Sequence, residues 1–379
     1  MMRVGIDVRL LSEPMTGIGR YTAELTRELL NKSGEFFLYS ARPLTIKQWK
    51  QDNVKIRSAN CHSRASRILW SETCLPYWAT KDHVDLFWGP SHRLPRCLPS
   101  RVARVTTIHD LVWKHAGETM RPLSRFMEKM LMPQAVQQAD RVVADSVSTA
   151  KAIEAEYIAA SDKIRIVYPG VTDLPEAPDF QSSLFSLGVQ QPYILFVGTR
   201  EPRKNLKRLL EAYALLDTEF KRRAQLVIAG GSGWGNVDLA GWVKNLGLID
   251  HVVLTGYVDD VQLSALYANS LFLAMPYLYE GFGLPIVEAM SYGKPVLTSN
   301  TSSMPEVAGE AAILVDPFDE RAIASGLKSL LNNAMREKLA SKAAANAARF
   351  NLQESAEKLW EVFREAIEIR KNTMQGSGE

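Results

Sequence analysis

Short apolar runs alternate with stretches of helical period along the whole chain. In the first half the runs at 3–7, 35–39, 85–88, 104–108, 141–144 and 164–167 predict strands, and in the second half those at 193–197, 225–229, 252–255, 271–275, 295–298 and 312–315 do the same. Apolar strand-length segments separated by helical ones point to parallel sheets built from βαβ units. Tyr168-Pro169-Gly170, followed by Pro175 and Pro178, interrupts the alternation. Proline and glycine punctuate the chain there. The pattern therefore predicts an α/β protein with a first Rossmann-like domain over 1–168, a linker over 169–190 and a second Rossmann-like domain over 191–351. Residues 352–371 form one amphipathic helix, and the tail from 371 to 379 is expected to be disordered. The chain contains no internal repeat or low-complexity segment.

Composition agrees with two folded domains. The 379 residues are 46% hydrophobic and 23% charged, enough for two separate cores. No apolar run reaches membrane-spanning length. The N-terminus enters a strand without a signal-peptide pattern, so a cytosolic protein is expected. Cys61, Cys74 and Cys97 are an odd number without a CxxC pair, which indicates neither a disulfide framework nor a zinc site. They are expected to be ordinary packing residues.

Candidate chemistry concentrates in Tyr279-Glu280-Gly281-Phe282-Gly283-Leu284-Pro285-Ile286-Val287-Glu288. Pro285 suits a first helical turn, so the amides of Gly283 and Leu284 should face a ligand at a helix N-terminus, where orphan N–H groups favour a diphosphate. Gly281 and Gly283 let backbone come close to that ligand. Glu288, placed in the first turn, could accept two ribose hydroxyls, and Glu280 could reach a sugar beyond the phosphates. The alternative is a glycine-rich turn whose Glu288 merely complements the helix dipole. The strand expected at 271–275 feeds this loop, and the one at 295–298 follows its helix.

These segments resemble the glycosyltransferase family 4 enzymes, retaining transferases of GT-B architecture. The resemblance covers most of the chain and is densest over 193–315. It implies two Rossmann-like parallel-sheet domains with an interdomain cleft, a terminal helix crossing back to the first domain, and a nucleotide-sugar donor. Gly17 and Gly19, in Thr16-Gly17-Ile18-Gly19-Arg20, would lie against the donor diphosphate. Lys204 matches the family's diphosphate lysine. Arg200 and Arg203 both qualify as its arginine, and Arg203 is preferred. His109, at the end of a strand, would contact the transferred sugar. Tyr257 and Val258 would line the base site, while Gly230 to Gly235 lacks the Walker Lys-Ser/Thr pair and reads as a cleft-lining turn. Ser302 to Val307 is either a donor-side segment or a capped short helix.

With no DxD motif in either half, the resemblance implies metal-independent chemistry without a cofactor. Lys204 and an arginine would stabilise the departing nucleoside diphosphate, and Glu280 would position the sugar. The wording of the motifs is most like bacterial mannosyl- and rhamnosyltransferases of surface-polysaccharide assembly, with GDP-mannose as first donor and GDP-rhamnose or a UDP-hexose as alternatives. A GT-B sugar-nucleotide epimerase and a non-catalytic sugar-nucleotide-binding partner are the rival readings. A glycan or polyprenyl-diphosphate-linked acceptor is implied.

Charge separates the two halves. Residues 1–175 hold 25 Lys and Arg against 18 Asp and Glu, a net +7, and the remainder holds 20 against 24, a net −4. Arg121, Arg125 and Lys129 recur every four residues beside Phe126, Met130 and Leu131. Such a basic amphipathic face suits weak binding to anionic bilayers, or is a solvated helix face. No nucleic-acid motif accompanies the charge.

Overall fold

The computed structural model describes residues 1–376 except 14, 45–48, 50, 172–173 and 236–237. Two wholly parallel sheets organise them. The first contains β1 (Met2–Asp7), β2 (Gly34–Ser40), β3 (Val54–Ser58), β4 (Leu86–Gly89), β5 (Ala103–Ile108), β6 (Arg141–Ala144) and β7 (Ile164–Ile166), in the order β3-β2-β1-β4-β5-β6-β7. The second contains β8 (Tyr193–Val197), β9 (Gln225–Ala229), β10 (Val252–Gly256), β11 (Phe272–Met275), β12 (Val296–Ser299) and β13 (Ala312–Val315), in the order β10-β9-β8-β11-β12-β13. Each sheet reverses its order beside its first strand, which places a ligand crevice at the C-terminal strand ends.

The central strands are apolar on both faces because helices cover both faces of a parallel sheet. Ile194, Leu195 and Phe196 in β8 and Phe272 and Leu273 in β11 are fully buried. The edge strand β3 was not predicted from the pattern. Its sequence Val-Lys-Ile-Arg-Ser alternates, and no residue of it is fully covered, so it lacks the continuous apolar run that marks its neighbours.

The chain divides into two compact units. Residues 1–111, 126–170 and 351–376 form the first, and residues 112–125 and 171–350 form the second. The terminal helix Leu352–Gly376 packs on the helix Gly17–Leu29 and on β5. Phe363 sits 5.7 Å from Trp88, and Trp360 sits 6.0 Å from Phe36, ring centroid to ring centroid. A buried aromatic of this kind stabilises by roughly 3–5 kcal/mol against truncation to Ala, so Phe363→Ala should loosen the packing of this helix.

Three expectations need correction. The terminal helix continues to residue 376, because Leu352–Gly376 is one uninterrupted helix, so the stretch from 371 is helical; residues 377–379 lie outside the described ones. The segment 169–190 contains the helix Phe180–Ser186, capped by Asp179 and packed on the helix Asp260–Asn269. Cys74 and Cys97 are exposed and Cys61 is half-buried, so none of the three is a core residue.

Candidate functional site

In the second unit, two strand ends converge. After β8 the backbone passes through Gly198, where an added Cβ would meet the Tyr277 hydroxyl at 2.4 Å. A short 3-10 turn, Pro202–Lys204, then presents two cations. Asn205 follows in the left-handed region at φ 57°, which asparagine tolerates better than most residues. Its amide donates to Pro276 O at 2.9 Å and Pro317 O at 2.7 Å, locking this turn to the end of β11. Leu278 N donates to Arg203 O at 2.9 Å and completes the join.

Glu280 lies where these segments meet. Its Oε2 accepts from Arg203 Nη1 at 2.6 Å and from Lys204 Nζ at 2.7 Å. Burial pushes its carboxyl up, but the two cations outweigh that and hold it below the usual carboxylate range. The buried Lys204 ammonium is depressed, by burial first and then by Arg203, with Glu280 opposing. Two cations thus share one carboxylate, and Lys204 stands to gain from a further anion. Its Nζ also lies 4.0 Å from the Tyr277 ring centroid.

Arg203 makes further hydrogen bonds within this cluster. Nη1 also donates to Tyr279 O at 3.1 Å, and Nη2 donates to Glu201 Oε1 at 2.8 Å. Trp234 Nε1 donates to the other Glu201 oxygen at 2.9 Å. Arg200 differs. Its backbone joins the glycine turn through Gly231 O at 3.1 Å, and its Nε is buried without a hydrogen-bond partner among the described residues. The glycines of that turn permit close approach: a Cβ on Gly230 would lie 1.9 Å from Gly198 O, and one on Gly233 would lie 2.4 Å from Arg200 O.

The loop from Glu280 opens the helix Leu284–Ser291, with Gly283 as N-cap at φ 100° and Pro285 in the first turn. Glu288 is the fifth residue of that helix and so lies in its second turn, a correction to its expected place. It is 7% exposed, and its Oε2 accepts from Tyr267 Oη at 2.7 Å. Gly281 is buried in the loop, as is Phe282, whose ring meets Phe350 edge-on at 5.3 Å. The Phe282 side chain is therefore packing, and only its backbone is left to serve a ligand. Leu284 is half-buried at the helix start, Tyr257 is exposed, and Val258 is half-buried after β10.

Ser302 and Ser303 belong to the segment for which the sequence leaves two readings open. Ser303 N-caps the helix Met304–Ala308 without a side-chain cap bond. Its hydroxyl donates instead to Glu280 O at 2.8 Å and is within 3.0 Å of Phe282 O. Ser302, left-handed at φ 51°, accepts from Glu280 N at 3.2 Å. Together they fix the acid loop. His115, also unforeseen, stacks on Tyr279 at 5.4 Å, and burial depresses its pKa.

In the first unit, Gly17 and Gly19 form the opening turn of the helix Gly17–Leu29. Thr16 Oγ1 accepts from Gly19 N at 3.1 Å, so that amide is already satisfied, while a Cβ on Gly17 would meet nothing within 4 Å. His109 is held by protein partners. It follows β5, but its ring is turned inward: Nδ1 is 2.5 Å from Asp145 Oδ2 and Nε2 is 2.7 Å from Pro90 O. Both partners are acceptors, an arrangement that favours a proton on each ring nitrogen. Burial opposes that charge, yet Asp145 prevails and raises the pKa. Both ring nitrogens thus have protein partners.

Comparison with known proteins gives a consistent result. Residues 15–173 match the family described as Glycosyltransferase Family 4, and residues 181–350 match Glycosyl transferases group 1. The O-antigen chain mannosyltransferase B of Escherichia coli is 32% identical over 92% of this chain and 96% of its own. Sucrose-phosphate synthase from Thermosynechococcus elongatus superposes with a TM-score of 0.77 at 18% identity, over 96% of this chain and 99% of that one. Anabaena HepE, solved in complex with UDP-glucose, does so with a TM-score of 0.74 at 18% identity, over 95% and 99%.

Proposed function

The chain belongs to the GT-B glycosyltransferases that join a family 4 domain to a group 1 domain, and on that premise we propose that it transfers mannose from GDP-mannose to a glycan or polyprenyl-diphosphate-linked acceptor in bacterial surface-polysaccharide assembly. GDP-rhamnose and UDP-hexoses are the alternative donors. The choice of mannose follows the similarity to the E. coli O-antigen chain mannosyltransferase B. One observation carries the chemistry: the Glu280 carboxylate held between Arg203 and Lys204, at a loop that opens a helix N-terminus.

In this reading the donor diphosphate meets the helix start at Gly283 and Leu284, and Glu288 faces the ribose. Negative charge grows on the departing phosphate as the bond to the anomeric carbon breaks. Lys204, depressed by burial and by Arg203, is stabilised by that charge, so the interaction strengthens toward the transition state. Arg200 has an unspent buried N–H and takes the phosphate, whereas Arg203, spent on Glu201 and Glu280, orients the acid. The acceptor hydroxyl attacks from the face the phosphate leaves, its proton passes to the phosphate oxygen, and configuration is retained. Glu280 stays ionised and stabilises positive charge on the sugar. These cations supply the charge for which other transferases use a metal.

A weak peripheral membrane contact belongs to the same proposal. The helix Pro122–Gln138 exposes Phe126 and Met130 beside Arg125 and Lys129, with Arg121 just before it. Among the described residues no helix is long and apolar enough to cross a membrane.

The test is turnover of GDP-mannose, GDP-rhamnose and UDP-hexoses, with and without a lipid-linked glycan, followed by NMR of the product. A mannoside of the donor's anomeric configuration, formed with release of GDP, supports the proposal. Inverted linkage removes retention, an epimerised free sugar points to an epimerase, and tight binding without turnover leaves a binding protein.

A further inference from the structure

The first unit contains a cavity of about 220 Å³ to which the proposed donor chemistry gives no role. Three arginines line it. Arg9 follows the C-terminal end of β1, and Arg93 and Arg96 follow that of β4, so the cavity opens on the sheet edge where parallel α/β folds hold ligands. The remaining wall is largely aliphatic: Ile68 from the helix Arg64–Glu72, Leu94, and Met127 and Leu131 from the helix Pro122–Gln138.

The arginines differ in how much hydrogen-bonding capacity they retain. Arg9 is held side-on by Asp7, with Nε to Oδ2 at 2.8 Å, and lies 5.1 Å from the Trp70 ring centroid. Arg93 reaches Glu128 only at 3.4 Å. The Arg96 guanidinium makes no hydrogen bond or ion pair with any described residue, although its backbone N donates to Glu72 Oε2 at 3.2 Å. A guanidinium offers five N–H donors in a planar fork suited to phosphate oxygens. Most of them remain unspent here. Among the described residues Glu72 is the one acid on the lining, so three cations face one anion there, with Asp7 and Glu128 behind.

Aliphatic walls do not suit a bare glycan, and cations do not suit a neutral lipid. Outside the cavity the apolar surface continues: Leu69 is 64% exposed beside Ile68, and Phe126 and Met130 are 61% and 57% exposed beside Met127 and Leu131. At about 220 Å³ the cavity is smaller than the roughly 300–1,000 Å³ of a drug-sized site. It has room for a head group and the first carbons of a chain, with the remainder running over the exposed stripe.

We propose that this cavity binds the phosphate-bearing end of an amphiphilic acceptor, with Arg96 as the principal contact and Ile68 and Leu131 against the first isoprenoid carbons. The word acceptor rests on the glycosyltransferase reading; the binding site does not. Farnesyl diphosphate is the probe, titrated by calorimetry below its micellar concentration beside inorganic pyrophosphate and farnesol. Saturable binding of farnesyl diphosphate is expected, with each of the other two at least about tenfold weaker, as apolar and charged halves each contribute 1.4 kcal/mol or more. Arg96→Glu should weaken it about tenfold or more and Ile68→Asp severalfold. Arg96→Lys should keep most of the affinity, which separates lost binding from lost folding. Lys204→Ala should bind as the wild type does, since otherwise the probe occupies the donor site. No saturable binding, equal affinity in Arg96→Glu, loss in Lys204→Ala, or pyrophosphate bound as tightly as farnesyl diphosphate would each overturn the proposal. Titration of GDP-mannose in parallel tests the donor reading separately, so failure of either leaves the other standing.

Discussion

Two buried ion clusters stand at strand ends, one in each unit, and they are built to opposite effect. At the end of β5, His109 has one carboxylate and one carbonyl on its two nitrogens, with its pKa raised by Asp145 against burial. Beyond β8 and β11, Arg203 and Lys204 converge on the single carboxylate of Glu280. The first leaves neither ring nitrogen without a partner, although Asp145 Oδ1 is buried with no hydrogen-bond partner among the described residues. The second leaves a lysine whose charge is depressed and which an added anion would relieve. Similar burial therefore yields a paired imidazole in one unit and, on the proposed function, a lysine that a phosphate would relieve in the other.

The sharpest way to break this contrast is at Glu280. Glu280→Gln is expected to lower kcat by about 10²–10³-fold, as for loss of one preorganised electrostatic group, while GDP-mannose still binds in calorimetry. Normal turnover would place the chemistry elsewhere. Lys204→Ala should lower kcat by about 10²-fold, and EDTA should leave wild-type activity largely intact. Full loss in EDTA with rescue by magnesium or manganese would remove the metal-free mechanism.

At the other cluster the expected loss is of stability. Asp145→Asn leaves a buried imidazole without its counter-ion and should cost about 3–5 kcal/mol, measured by denaturant unfolding. The pH dependence follows from the raised His109 pKa, where burial opposes and Asp145 prevails. A raised folded-state pKa gives stability that is fully present below the unfolded value of about 6.5 and is lost as pH rises through the folded value. Wild type should therefore lose this increment above pH 6.5, and His109→Phe should not. An identical pH slope in both would mean that His109 is neutral.

The smallest effect concerns charges that are not buried. Arg121, Arg125 and Lys129 are exposed and screened by salt, and each contributes roughly 1 kcal/mol near an anionic surface. Flotation with anionic vesicles at low salt should recover the wild type but much less of the triple-Glu variant, and high salt should release both. Equal recovery under all conditions would leave an ordinary solvated helix face.

Much of the architecture was legible because buried parallel strands write themselves as continuous apolar runs. Every strand of the second sheet falls within a residue or so of its apolar run, and the one missed strand, β3, is an alternating edge strand. The loop-to-helix junction at 280–288 was legible for a related reason: glycine at a left-handed N-cap and proline in a first turn are local requirements. Glu288 was misplaced by one turn, since the exact start of the helix depends on Gly283 and not on Pro285.

What the sequence determined by itself was whatever arises between near neighbours: the two parallel sheets, the breaks between them, and the presence of acids and cations at particular strand ends. Tertiary structure alone decided how those charges are shared. Glu280 meets Lys204 across 76 residues, Ser303 reaches back 23 residues to the acid loop, and Asp145 reaches His109 across 36. No periodicity encodes such pairings. They appear only when packing brings the groups out of water, where an unpaired charge is costly and each must find its partner.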